Sequence, residues 1–102
     1  MIRLIEDKRA EIEAICRRYR VRRLEVFGSA ATGDFDPQRS DLDFLVEFEE
    51  LSEGQWSDCY FSVLFALEDL FGRPVDLVMP SAIRNRFFRE AVDESREVVY
   101  AA

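Results

Sequence analysis

Arg39-Ser40-Asp41-Leu42-Asp43-Phe44-Leu45-Val46 is the stretch on which the reading of this chain turns. Apolar Leu42, Phe44, Val46 and Phe48 alternate with Asp41, Asp43, Leu45 and Glu47, the period of two of a strand with one face in a core. Residues two apart on a strand point to the same side, with α-carbons roughly 7 Å apart. Asp41 and Asp43 therefore converge above the sheet while Leu42 and Phe44 face inward. Two like charges so placed repel unless a cation sits between them, and hard oxygen ligands suit magnesium or manganese better than zinc. Taken alone, Asp-x-Asp is also an ordinary turn residue followed by a solvated strand position, so its neighbours decide its meaning.

Working upstream, Ile5, Ile12, Ile15, Cys16 and Tyr19 recur at helical spacing, which predicts one amphipathic helix over 2–19. Arg17, Arg18 and Arg20 crowd its carboxyl end, where cations offset the helix dipole. A short strand over 21–27 follows and stops at Gly28-Ser29; Gly33, Asp34, Asp36 and Pro37 then supply turn chemistry. Downstream of the Asp-x-Asp strand, a mostly polar loop over 49–54 precedes a helix over 57–71, closed by Gly72 as carboxyl cap and by Pro74. A third strand is predicted over 75–79, then a helix capped by Ser81 and running to about Val92, then an edge strand over 98–100. Trp56, Phe61, Phe65, Phe87 and Phe88 are expected mainly in the core, and any left exposed would be partner surface. This order implies an α/β (α+β) fold: a small mixed β-sheet with helices packed on it.

The chain has 102 residues, which predicts a single domain over 1–102. A core this modest leans on a partner, as a homo- or hetero-oligomer. The net charge of −7 makes direct contact with nucleic acid unfavourable. The cluster Arg17, Arg18, Arg20, Arg22 and Arg23 is the one dense basic patch and reads first as a solvated helix end. There is no histidine, which removes Ser-His and Cys-His nucleophilic schemes. Cys16 and Cys59 lack metal-ligand spacing and suit a cytoplasmic chain with buried thiols. No apolar run approaches the roughly 18 residues of a membrane span.

Two further features bear on the aspartates. Gly28-Ser29 offers backbone N–H groups and a hydroxyl of the kind that holds phosphate oxygens, although the same step makes plain strand-to-turn connections. Asp76 is the only charge on its short apolar strand, where a lone carboxylate is unfavourable. Beside the Asp41–Asp43 strand it would lie about 5 Å across the ladder; on an edge strand it would simply face water.

Jointly, Gly28-Ser29, Gly33, Ser40-Asp41-Leu42-Asp43 and the later Asp76 resemble the motif of the DNA polymerase β-like nucleotidyltransferases. The short length and the run from Arg39 to Val46 resemble the minimal nucleotidyltransferases, or MNT proteins, over nearly the whole chain. The resemblance implies a palm-like fold, with Asp41, Asp43 and Asp76 as catalytic residues and as ligands of a pair of magnesium ions. It implies nucleotide binding by Gly28, Ser29 and Ser40, with ATP as substrate. It also implies an antitoxin paired with a HEPN-domain toxin and transferring AMP to a toxin tyrosine. MNT proteins often read Gly-Ser-Arg-Ala-Arg-Gly, whereas this chain has Gly28-Ser29-Ala30-Ala31-Thr32-Gly33. The two missing cations raise the alternative of a non-catalytic antitoxin that neutralises its toxin by binding alone.

Overall fold

The computed structural model describes residues 1–102. Its strands are β1 (Val21–Phe27), β2 (Leu42–Phe48), β3 (Val75–Val78) and β4 (Glu97–Ala101); its helices are α1 (Arg3–Asp7), α2 (Arg9–Arg18), α3 (Ser29–Thr32), α4 (Glu53–Phe71) and α5 (Arg86–Ser95). The strands form one mixed sheet in the order β3-β2-β1-β4. β1 runs antiparallel to β2 and β4, while β2 and β3 are parallel. A parallel pair needs a long crossover, and α4 supplies it. The α/β class and mixed sheet are those expected.

The two faces of the sheet are unequal. Leu24, Val26, Leu42, Phe44, Val46 and Leu77 pack with Ile5, Ile12 and Cys16 on one side and with Val63 and Leu67 of α4, forming the main core. The period of two along β2 turns Asp43 and Leu45 the other way, where Leu45 joins Phe27 and Val92 in a much smaller cluster under α5. That second face is left largely open.

Local chemistry shifts several boundaries. The helix expected over 2–19 divides at Lys8, whose N–H bonds the Ile5 carbonyl at 3.1 Å and whose φ of −105° leaves the helical range. The segment before it is pinned to α3, since Ile2 N–H donates to Ala30 O at 2.9 Å and the Met1 amino group to Ala31 O at 2.8 Å. α4 begins at Glu53 rather than 57, because Gln55 Oε1 accepts the Ser52 N–H at 3.2 Å and caps the first turn. Asn85, not Ser81, caps α5: its Oδ1 accepts from Phe87 and Phe88 N–H at 2.8 and 3.1 Å, while Ser81 lies in the 3₁₀ turn Pro80–Ala82. Gly72 closes α4 with φ 64°, as its position predicted.

The aromatics expected in the core stand largely outside it: Trp56, Phe61, Phe65, Phe87 and Phe88 are all exposed. On α4, Phe61 and Phe65 are four apart, and so are Val63 and Leu67, offset by two positions and hence on roughly opposite sides of the helix. Only one pair can meet the sheet, and the aliphatic pair does, at 0% exposure each. Of the thiols, Cys16 is buried and pushed up to about 12, first by burial, while Cys59 is only half-buried; both are free. No helix is long and apolar enough to cross a membrane.

One buried carboxylate ties α5 to the sheet. Glu25, 3% exposed, accepts from Arg96 Nε and Nη2 at 2.8 Å each and from Arg23 Nε at 2.7 Å. The Arg96 hydrogen bonds hold its carboxyl below the ordinary 4.5 against the opposing pull of burial, with Arg23 assisting. Replacing Glu25 by Ala removes all three of these hydrogen bonds but leaves Arg96 on Asp93 and Arg23 in water, and should destabilise the fold by about 2 kcal/mol in chemical denaturation. The exposed Arg22–Glu47 pair, at 2.7 Å, should be worth under about 1 kcal/mol in the same assay. Because the folded value is depressed, the Glu25 contribution is complete above its ordinary 4.5 and is lost as pH falls through the lower folded value. Glu25→Gln should therefore show a weaker acid-side decline in Tm than the wild type.

Candidate active site

Asp43 lies near the start of β2, in register with Phe27 of β1 on one side and with Asp76 of β3 on the other. In-register residues on neighbouring strands share a face, so Asp43 and Asp76 stand together on the open side of the sheet. Asp41 is exposed and sits just ahead of β2. The turn before it is closed by Ser40, whose Oγ accepts the Asp36 N–H at 3.0 Å and whose own N–H donates to Asp36 O at 2.8 Å. Ser40, expected at the nucleotide, thus shapes the turn that leads into Asp41.

The three carboxylates act on one another. Asp43 is pushed up to about 6, first by burial and then by the negative charges of Asp76 and Asp41. No arginine or lysine pairs with it. Asp76 is exposed on the edge strand β3, so it both faces water and adjoins Asp43. Tyr60, on α4, reaches the outer edge of β3, where its hydroxyl donates to Leu77 O at 2.6 Å. That hydroxyl is pushed up too, by burial and then by Asp76.

Gly28 forms the other wall. With φ 68° and ψ −148° it holds a backbone conformation that side chains disfavour, and a Cβ there would lie 2.8 Å from Asp43 Oδ2. Its N–H donates to Ser95 Oγ at 2.8 Å, so the last residue of α5 already occupies this amide. Ser95 could not be found from sequence, because the contact spans 67 residues and has no local pattern. Ser29 opens α3, and Ala30, where MNT proteins often carry Arg, is fully buried in the main core. Thr32, at the second such position, is exposed and donates to Asp34 Oδ2 at 3.2 Å.

The donor set is oxygen alone, with half-buried carboxylate charge that lacks a counter-ion, which fits a hard divalent cation. No three of these side chains close around one point as they stand. Magnesium ordinarily takes one or two carboxylates and completes its shell with water and substrate phosphates, so such an open arrangement suits it. Two surface cavities, about 260 and 250 Å³, lie elsewhere and include none of the three aspartates, leaving the carboxylates on an open face.

Two stability measurements probe this crowding. Gly28→Ala brings a methyl group against Asp43 and forces φ into a strained region, so it should lower stability by about 1–3 kcal/mol. Asp43→Asn should do the reverse. A carboxyl whose folded value is raised from 3.8 to about 6 penalises the folded state increasingly as pH rises between those values. The variant should therefore melt higher than the wild type above about pH 6, with the gain vanishing near pH 4; equal melting curves at pH 7.5 would show that Asp43 is not crowded.

Comparison with known proteins identifies the family. Residues 9–99 match the nucleotidyltransferase domain family. The protein adenylyltransferase MntA of Thermococcus cleftensis is 37% identical over 83 residues, covering 81% of this chain and 77% of its own length. A solved structure described as a minimal nucleotidyltransferase is 36% identical, with a TM-score of 0.69 over 91% of this chain and 93% of that one. A structure of a tri-AMPylated Shewanella oneidensis HEPN toxin in complex with MNT antitoxin contains a chain of similar fold, with a TM-score of 0.63, 16% identity and coverage of 96% and 73%. With the family match running from α2 into β4, the chain belongs to the nucleotidyltransferase domain family and is a minimal nucleotidyltransferase.

Proposed function

We propose that this nucleotidyltransferase moves AMP from ATP to a protein hydroxyl, and that the acceptor is a tyrosine of a HEPN-domain toxin that it neutralises as antitoxin. The observation that carries this reading is the in-register pair Asp43–Asp76, crowded by Asp41, with no arginine or lysine paired to Asp43. The similarity to the adenylyltransferase MntA supports protein adenylylation, and the fold shared with an MNT antitoxin chain complexed to an AMPylated HEPN toxin supports the partner.

Asp41, Asp43 and Asp76 would hold the magnesium, which when bound would neutralise triphosphate charge and stabilise the leaving oxygen. The chain's own residues do the rest. Gly28 keeps the wall beside Asp43 free of side-chain bulk, and Ser29, at the strand's exit, presents its hydroxyl and N–H toward the terminal phosphates. Asp76, exposed at the sheet edge, takes the proton of the attacking hydroxyl. The acceptor oxygen bonds to the α-phosphorus, the bond to the bridging oxygen of the β-phosphate breaks, and pyrophosphate leaves.

A second reading, inhibition by binding alone, is favoured by the phosphate side of the site: the Gly28 amide is taken by Ser95, and Ala30 is buried where a cation often stands. Mass spectrometry of a HEPN-domain toxin partner after incubation with this protein, ATP and magnesium separates the two. Transfer predicts a mass increase of one or more AMP units, abolished in Asp43→Asn and reduced by orders of magnitude in Asp76→Asn. An unmodified partner that is nonetheless silenced equally by wild type and Asp43→Asn would establish the binding-only reading.

A further inference from the structure

The backbone at Gly28 is held on both sides of its α-carbon. Its carbonyl accepts from Ala31 N–H at 3.0 Å and from Thr32 N–H at 3.1 Å, the first turn of α3. Its N–H donates to Ser95 Oγ at 2.8 Å. With both peptide planes tied, φ is fixed at 68° and ψ at −148°. Glycine populates positive and negative φ about equally, so this conformation is imposed by its partners and not by its own preference. Two features of the site depend on it. One is the bare α-carbon set against Asp43 Oδ2; the other is the direction in which Ser29 leaves the strand.

Ser95 is a fixed support for this amide, not a movable plug. Its hydroxyl donates toward the Ala91 and Val92 carbonyls, at 3.3 and 3.4 Å, in the last turn of α5. Arg96 follows it and grips Glu25 through two hydrogen bonds of 2.8 Å, and Glu97 then pairs with Val26 as β4 begins. Three consecutive residues are thus bound to β1 and its exit. Drawing Ser95 away would pull on Arg96, which supplies two of the three hydrogen bonds of a buried carboxylate.

We infer that Ser95 is a positioning residue for the nucleotide: through the Gly28 N–H it orients the turn that lies beside Asp43 and carries Ser29 toward the terminal phosphates. This role rests on the nucleotide site proposed above, and in it Ser95 acts only through Gly28.

The probe is magnesium α,β-methylene-ATP, whose methylene bridge blocks transfer, titrated into the intact protein by calorimetry. Ser95→Ala should weaken binding about fivefold, the worth of one hydrogen bond, and Ser95→Thr, which keeps the hydroxyl, should restore it. The Gly28 amide resonance should move in Ser95→Ala and return in Ser95→Thr. Asn85→Ala removes the cap at the other end of α5 and lowers the helix's stability without touching Gly28, so it should bind as the wild type does. Equal affinity of Ser95→Ala and wild type, or an unmoved Gly28 resonance, overturns the inference. So does an equal loss in Asn85→Ala, which would show that only the stability of α5 matters. Tighter binding in Ser95→Ala also overturns it, by showing the hydroxyl in competition with phosphate for the amide. A wild type that binds no nucleotide would instead remove the proposed nucleotide site, and the role of Ser95 with it.

Discussion

The carboxylate of Asp43 is held where three strands meet, and the fold on that side is arranged around its crowding. β1 and β2 pair Phe27 with Asp43, so the chain leaving β1 must pass directly beside the carboxylate. It does so at Gly28, the one residue type that both tolerates φ 68° and offers no Cβ to meet Asp43 Oδ2. That turn starts α3, which carries Ala30 and Ala31 into the core, and their carbonyls in turn hold Ile2 and Met1. A requirement set by a single side chain in the middle of the sheet is thereby passed to the amino terminus.

The open face holds two acidic groups in opposite electrostatic states. Glu25 sits two residues before Phe27, is buried, and is neutralised by Arg96 and Arg23; Asp43 is half-buried and meets only Asp41 and Asp76. The same strands therefore lower one carboxyl and raise the other. Glu25 serves the fold, because its ion pairs clamp the end of α5 to β1. Asp43 works against the fold, and a group kept in spite of its cost to stability is a mark of function. The clamp also bears on the site, since Ser95, next to Arg96, carries the oxygen that holds the Gly28 amide.

What could be read from sequence was local. The alternation about Asp43, the apolar β1 and the Gly72 cap each involve residues within a few positions of one another, and the structure places them as expected. The Ser52–Gln55 cap was equally local but lay inside a stretch whose polarity suggested loop. The choice of α4's buried face was not readable, because Phe61–Phe65 and Val63–Leu67 have the same spacing and only the sheet decides between them. Nor was the division at Lys8, which depends on α3, or the Ser95–Gly28 bond, which joins residues 67 positions apart. For the candidate site, the sequence named the aspartates and the glycine; their register, and the lack of a basic side chain paired with Asp43, required the folded sheet.

The placement of basic residues bears on how negative ligands are met. The cluster at Arg17 to Arg23 looks on paper like an anion site, yet it is largely neutralised in place. Arg17 approaches Glu13, Arg20 pairs with Glu49, Arg22 with Glu47 and Arg23 with Glu25. A protein of net charge −7 whose arginines are so engaged repels a triphosphate at long range. At short range the three aspartates add to that repulsion. On the function proposed above, the charge of a nucleotide would arrive already compensated, and the carboxylates around Asp43, which no basic side chain neutralises, suit a phosphate carried by a hard divalent cation. In that proposed ordering the arginines common after Gly-Ser are dispensable while the crowded aspartates are not.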